Sequence, residues 1–229
     1  MNYKYAVLMH PIWIDDTRDM WSKWRNAIKK YNRVYVFLPE VSDVMKINYL
    51  KLLIKIYDNN REFYKYVESI IFNKWFINKY SDIDYYKKIL TLIESDRYKN
   101  SKKVQRLISR IFRYDFSSIR NVKKEMNEFK LFMGKYNHKI IYLRAGDVNI
   151  LKYFNVYVNM FKPLRQIDVF GAYGNRCVAA MKFSLKNVKV NIIPELSIVR
   201  EKTYRDIWKR YPKYPRQLSG KIKIGRHQI

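Results

Sequence analysis

Residues 166–198 read QIDVFGAYGNRCVAAMKFSLKNVKVNIIPELSI, and this stretch restricts the fold more than any other. Ile167, Val169 and Phe170 form a short apolar run that ends in Gly171 and Gly174. A helical pattern follows from about Asn175 to Lys186, and Val188, Val190, Ile192 and Ile193 make a second apolar run. Strand, glycine turn, helix and strand in that order predict a βαβ unit, which requires a parallel pair. Cys177, the single cysteine of the chain, falls where the helix is expected to begin.

Three further segments extend the pattern. Residues 5–9 (YAVLM), 33–38 (RVYVFL) and 139–143 (KIIYL) are apolar runs of strand length. Continuous rather than alternating apolarity suits parallel strands covered on both faces. After the first, Asp15, Asp16 and Thr17 signal a helix start, and Met20, Trp21, Trp24 and Ile28 recur at helical spacing. Val122, Met126, Phe129 and Phe132, with Leu131, mark a helix before the third run. Ile150, Leu151, Phe154, Val158 and Phe161 mark one after it, with Asp147 placed to cap it. The predicted fold is α/β: a three-layer, mainly parallel, Rossmann-like sheet formed by residues 1–40 and 119–199.

Residues 41–118 break this order. No strand is legible there, while apolar residues recur at helical spacing in several blocks. One block runs from Phe63 through Val67, Ile70 and Ile71 to Trp75 and Phe76. Val104, Leu107, Ile108, Ile111 and Phe112 make the most regular stripe. Polar pairs at Asn59-Asn60, Ser81-Asp82 and Asn100-Ser101 punctuate the segment, which is predicted as a helical insertion of three to five helices.

Charge points to a partner. Lys and Arg number 47 against 20 Asp and Glu, a net of +27. Such an excess favours a polyanion, most often nucleic acid, through counterion release. Lys103, Arg106, Arg110 and Arg113 lie opposite the apolar stripe of their predicted helix, beside Tyr114 and Phe116. Cations interleaved with aromatics suit phosphate contact with base stacking. Residues 200–229 form a second basic stretch, including Arg205, Lys209 and Arg210. The plain alternative is a solvated, lysine-rich surface, for Lys, Ile, Tyr and Asn are all heavily used.

Open α/β sheets place their sites at the carboxyl ends of the strands. His10, Glu40, Arg144 and the turn leading to Cys177 reach that edge. A thiol at a helix N-terminus is favoured as thiolate, a neighbouring arginine adds to this, and His10 or Glu40 is the local candidate base. Acyl transfer through a thioester is the chemistry these groups suit. The plain alternative is a small buried hydrophobe.

At these residues the chain resembles the isochorismatase-like cysteine hydrolases, which include nicotinamidases. That family carries an apolar strand ending in Gly and, six residues later, Cys-Val opening a helix; Gly171 and Cys177-Val178 reproduce the spacing. The resemblance covers residues 138–198 and implies an α/β fold with Cys177 as nucleophile toward a small amide or ester. The family pairs its cysteine with an Asp closing strand one and a Lys closing the strand before the cysteine unit. Here those places hold Met9-His10 and Arg144, and Tyr173-Gly174 replace the usual Thr of the turn. Arginine holds a charge but does not titrate as lysine does. Only Cys177 matches fully, so the resemblance implies the scaffold with a degenerate site.

The remaining composition narrows the field. One cysteine excludes an internal disulfide and a cysteine-cluster zinc site, and the three histidines are scattered, so neither metal nor cofactor is expected. No run of eighteen apolar residues indicates a membrane span, and the N-terminus reads as a strand rather than a leader, giving a cytoplasmic expectation. The expected function is therefore a nucleic-acid-associated protein on a degenerate hydrolase scaffold. A cysteine hydrolase, and an assembly protein whose Tyr-rich insertion packs on a partner or a second copy, are the alternatives.

Overall fold

A computed structural model of the chain describes residues 4–12, 17–39, 41–113, 119–144, 155–172, 174–185 and 187–198. They divide into two compact units. Residues 4–38, 125–143 and 155–198 form one; residues 39–113 and 119–124, with Arg144, form the other.

The first unit is built on a five-stranded sheet. Its strands are β1 (Tyr5–Met9), β2 (Arg33–Leu38), β3 (Ile140–Arg144), β4 (Gln166–Ala172) and β5 (Lys189–Ile198), in the spatial order β3-β2-β1-β4-β5. β1 pairs in parallel with β2 and β4, and β4 with β5. Ala6, Val7, Leu8 and Met9 of β1 are wholly buried, as a central strand covered on both faces requires. The order reverses direction between β1 and β4, which makes their carboxyl ends the switch point of the sheet.

Helix α1 (Thr17–Ile28) buries Met20, Trp21, Trp24 and Ile28, the four residues its spacing marks. Both indoles also find an acceptor: Trp21 Nε1 donates to the Pro11 carbonyl (2.9 Å) and Trp24 Nε1 to that of Leu196 (2.8 Å). The second bond meets an irregularity. Val169 pairs with Ile192 but Gly171 with Ser197, so β5 carries extra residues around Pro194, which has no N–H to give a ladder. Ser197 Oγ closes this bulge by donating to Ile193 O at 2.8 Å.

Gly171 is required for the β1–β4 approach. Its φ is +116°, and a Cβ there would lie 2.3 Å from the Met9 carbonyl oxygen. Beyond it the helical segment expected over residues 175–186 is found over Gly174–Ser184, wound as a π-helix through Gly174–Val178 and as an α-helix through Ala179–Ser184. Of the helix expected after β3, Asn155–Phe161 is described; Asp147, Ile150, Leu151 and Phe154 lie outside the described residues.

The second unit is helical: α2 (Asp43–Ile56), α3 (Arg61–Ile71), α4 (Lys74–Tyr80), α5 (Ile83–Glu94), α6 (Asp96–Asn100) and α7 (Lys102–Ile111). Polar breaks act as caps. The side chains of Ser42, Asn60, Asp82, Ser95 and Ser101 each accept from a backbone N–H of the helix they precede. Phe72, Phe76, Tyr86 and Phe112 make the aromatic centre, with Phe72 stacked on Tyr86 at 4.7 Å. Two buried charges are enclosed. Glu68 Oε1 accepts from Tyr64, Ser81 and Tyr86. Lys46 pairs with Asp43 at 3.0 Å and lies over the Phe112 ring. Burial pushes the Asp43 carboxyl up, but hydrogen bonds from Tyr98 and Lys46, with the charges of Lys46 and Arg144, outweigh it and hold it below its ordinary range.

Two side chains of the expected apolar faces turn outward. Leu107 is 61% exposed and Trp75 55%, although Ile108, Ile111, Phe112 and Phe76 around them are buried. For Trp75 the reason is a break in phase. α3 stops at Ile71, Phe72 forms an antiparallel bridge with Phe112, and α4 starts afresh at Lys74.

Candidate functional site

Two candidate regions emerge, one in each unit. The first is the switch point between β1 and β4. His10 directly follows β1, is buried, and adopts φ +45°, a left-handed conformation that costs a β-carbon-bearing residue about 1–2 kcal/mol. Its backbone N–H donates to Phe37 O at 2.8 Å, so the β1–β2 ladder holds the strained residue in place. Met9 is in register with Gly171, and the chain leaves β4 just beyond to reach the turn that carries Cys177. The thiol is half-buried.

The remaining sequence candidates for this region are Arg144 and Glu40. Arg144 closes β3, an edge strand separated from β1 by β2, and groups with the helical unit, where its charge acts on Asp43. Glu40 lies outside the described residues. Cys177 lies in the first turns of the helical segment, within its π-wound part Gly174–Val178, which runs directly into the α-helix Ala179–Ser184. Among the described residues no three His, Cys, Asp or Glu side chains gather as a metal site. No described helix is long and apolar enough to cross a membrane.

The second region is the surface of α6 and α7. Between Asp96 and Arg113 the chain has seven cationic residues, Arg97, Lys99, Lys102, Lys103, Arg106, Arg110 and Arg113, against one acid. All seven are exposed. Lys99 pairs with Asp96 at 3.3 Å, and Arg113 Nη1 donates to Ser69 O at 2.9 Å. Among the described residues no carboxylate lies within ion-pair distance of Lys103, Arg106 or Arg110. The face presents Leu107 among these cations, while Ile108 and Ile111 anchor the helix from beneath.

The carboxyl end of α7 is sewn to the start of α4. Asn73 N–H donates to Ile111 O (2.9 Å), its Nδ2 donates to Arg110 O (2.7 Å) and Phe112 O (3.1 Å), and Arg113 N–H donates to Ile71 O (2.7 Å). These bonds bring Lys74 and Trp75, two residues that sequence spacing does not connect with α7, to the end of the basic face. The one sequence signal for this was the lone Asn73 between two apolar blocks, a helix-start residue in the middle of an assumed continuous face. Tyr114, Phe116 and the tail cations Arg205, Lys209 and Arg210 lie outside the described residues. No protein-family model matches the chain, and no curated protein or solved structure is significantly similar to it.

Proposed function

We propose that this protein binds nucleic acid through the basic face of α7, on an isochorismatase-like, Rossmann-like α/β scaffold whose hydrolase site is degenerate. The observation that carries the reading is the seven exposed cations between Asp96 and Arg113, offset by a single acid. A face of one sign lowers its own electrostatic energy when it meets phosphates and releases their counterions. The rest of the chain adds to the same field, since the net charge of the whole chain is +27. The basic tail, with Arg205, Lys209 and Arg210, supplies further phosphate contacts in this reading. Support for the scaffold is the parallel pairing and the reversal of strand order at β1 and β4. Support for degeneracy is the residue set, since Arg144 and Met9-His10 stand where that family carries Lys and Asp.

The test is binding of a labelled oligonucleotide followed by fluorescence anisotropy across a salt series. Replacing Lys103, Arg106 and Arg110 together with Glu is expected to lower the slope of log affinity against log salt by about two to three. No binding by the native protein at about 50 mM salt, where phosphate contacts act most strongly, ends the reading.

A second reading is favoured by one observation, the left-handed backbone of buried His10 at the switch point. Backbone strain concentrates at functional sites. In this reading Cys177 is the nucleophile of an amide or ester hydrolase and His10 its base. It predicts fast alkylation of Cys177 below about pH 7. A thiol that reacts no faster than free cysteine removes it.

A further inference from the structure

We infer that the nucleic acid is single-stranded and that its bases stack on an exposed aromatic ledge formed by Trp75 and Tyr85. The inference rests on the nucleic-acid reading above and names its substrate class. Trp75 is 55% exposed and Tyr85 37%, yet neither is a loose side chain. Both rest on the buried ring of Phe76, Trp75 edge-on at 5.8 Å and Tyr85 tilted at 5.9 Å. Tyr80 stacks on Tyr85 at 4.8 Å with planes 17° apart. Rings held in this way lose little conformational freedom when a base arrives, which is the condition under which stacking adds most affinity.

The ledge stands beside cations. Lys74 and Lys79 are exposed on the same short helix as Trp75, and Lys79 Nζ lies 5.3 Å from the Tyr80 ring centre. The bonds from Asn73 to the carbonyls of Arg110 and Phe112 join this helix to the carboxyl end of the basic face. Phosphates can therefore track α7 while bases reach the ledge, the combination that single-strand binders use. A duplex offers no free base faces, and apolar side chains enter it only by unstacking and kinking it. A second copy of this chain would bring the same excess of positive charge to a surface already lined with Lys74, Lys79 and Arg110. A polyanion with exposed bases is complementary to both features.

The experiment uses the full chain with labelled oligothymidylate, oligouridylate and a duplex of equal length. Trp75→Ala is expected to weaken both single strands about tenfold while leaving duplex affinity and the salt slope unchanged. Trp75→Tyr is expected to restore most of the affinity, which a folding defect would not allow. Comparing the two single strands tells DNA from RNA. The inference is overturned if Trp75→Ala leaves single-strand affinity unchanged, if it weakens duplex and single strand equally, or if the native protein prefers duplex; in these cases the broader reading stands. It is also overturned if the native protein self-associates through Trp75. Binding to none of the three probes overturns both.

Discussion

Replacing Gly171 with alanine is expected to unfold the first unit, and the structure allows the cost to be worked out. The Cβ would lie 2.3 Å from Met9 O, 2.7 Å from Met9 N and 3.0 Å from Met9 C, against about 3.4 Å for ordinary contact. These are backbone atoms of the central strand, in register with Gly171 itself, so no side-chain rotation relieves the clash. The φ of +116°, beyond the left-handed helical well, alone costs alanine about 1–3 kcal/mol. Parting β1 from β4 by about an ångström weakens neighbouring ladder bonds worth about 1 kcal/mol each and loosens packing at fully buried Leu8, Met9 and Phe170. The total is on the order of 4–5 kcal/mol, at the upper end for a single substitution and a large part of ordinary domain stability. Gly134 is the control. Its φ is +53°, but the nearest atom to an added Cβ is Arg25 Nη2 at 3.8 Å, so Gly134→Ala is expected to cost only about 1 kcal/mol. Urea unfolding followed by circular dichroism compares the two. A Gly171→Ala protein within about 1 kcal/mol of the native one would show that the β1–β4 approach is not as described.

Four further outcomes follow from the buried polar groups. Glu68→Ala leaves the hydroxyls of Tyr64, Ser81 and Tyr86 without their shared acceptor and is expected to cost about 3–5 kcal/mol, whereas Glu68→Gln keeps an acceptor and costs about 1–2 kcal/mol by thermal or urea unfolding. Burial raises the phenols of Tyr31, Tyr64, Tyr86 and Tyr142 above the ordinary 10.0, reinforced by Asp168 at the first and Glu68 at the next two. The folded state therefore holds these protons longer than the unfolded one, so the associated stability is complete below pH 10.0 and declines above it; tyrosinate absorbance should rise together with unfolding, and earlier in Glu68→Gln. Asp43 has the opposite sign: its depressed carboxyl contributes stability that is lost as pH falls below its ordinary 3.8, an acid-limb effect that Asp43→Asn should remove. Asp43→Asn also removes the carboxylate that pairs with nearly buried Lys46 at 3.0 Å, at an expected cost of about 1 kcal/mol by urea unfolding because that carboxylate is half open to water.

The helical unit shows how much polar chemistry an insertion can enclose. Its charged groups are not only surface: Glu68 and Lys46 are each under 10% exposed and each is satisfied, one by three hydroxyls and the other by a carboxylate and the Phe112 ring. Removing one partner from such a set costs more than the set contributes as a whole. Such groups define one arrangement of α2, α3 and α5 in preference to its neighbours. A defined arrangement is what holds the rings around Phe76 in place at the surface.

Strand identity was legible along the chain because continuous apolar runs bounded by glycine, proline and charge leave little alternative to a buried parallel strand. YAVLM, RVYVFL and the run ending in Gly171 became β1, β2 and β4 for this reason. Helix starts at Asn60, Asp82 and Ser101 were legible because a side chain that caps a helix acts within three residues. The basic face was legible too, since Lys103, Arg106 and Arg110 follow helical spacing and solvation needs no partner. What spacing could not decide was which members of an apolar block face inward once a break resets the phase. Trp75 and Leu107 were assigned to the core by period, and tertiary packing turned both to solvent. The helix at Cys177 was legible, but the π winding of its first turn was not. Order in the sheet, the strain at His10 and the joining of Asn73 to α7 depend on residues far apart in sequence. Local pattern carries propensity over a few residues; which surfaces meet is settled only when the whole core closes, and that closure placed the aromatic ledge beside the cations.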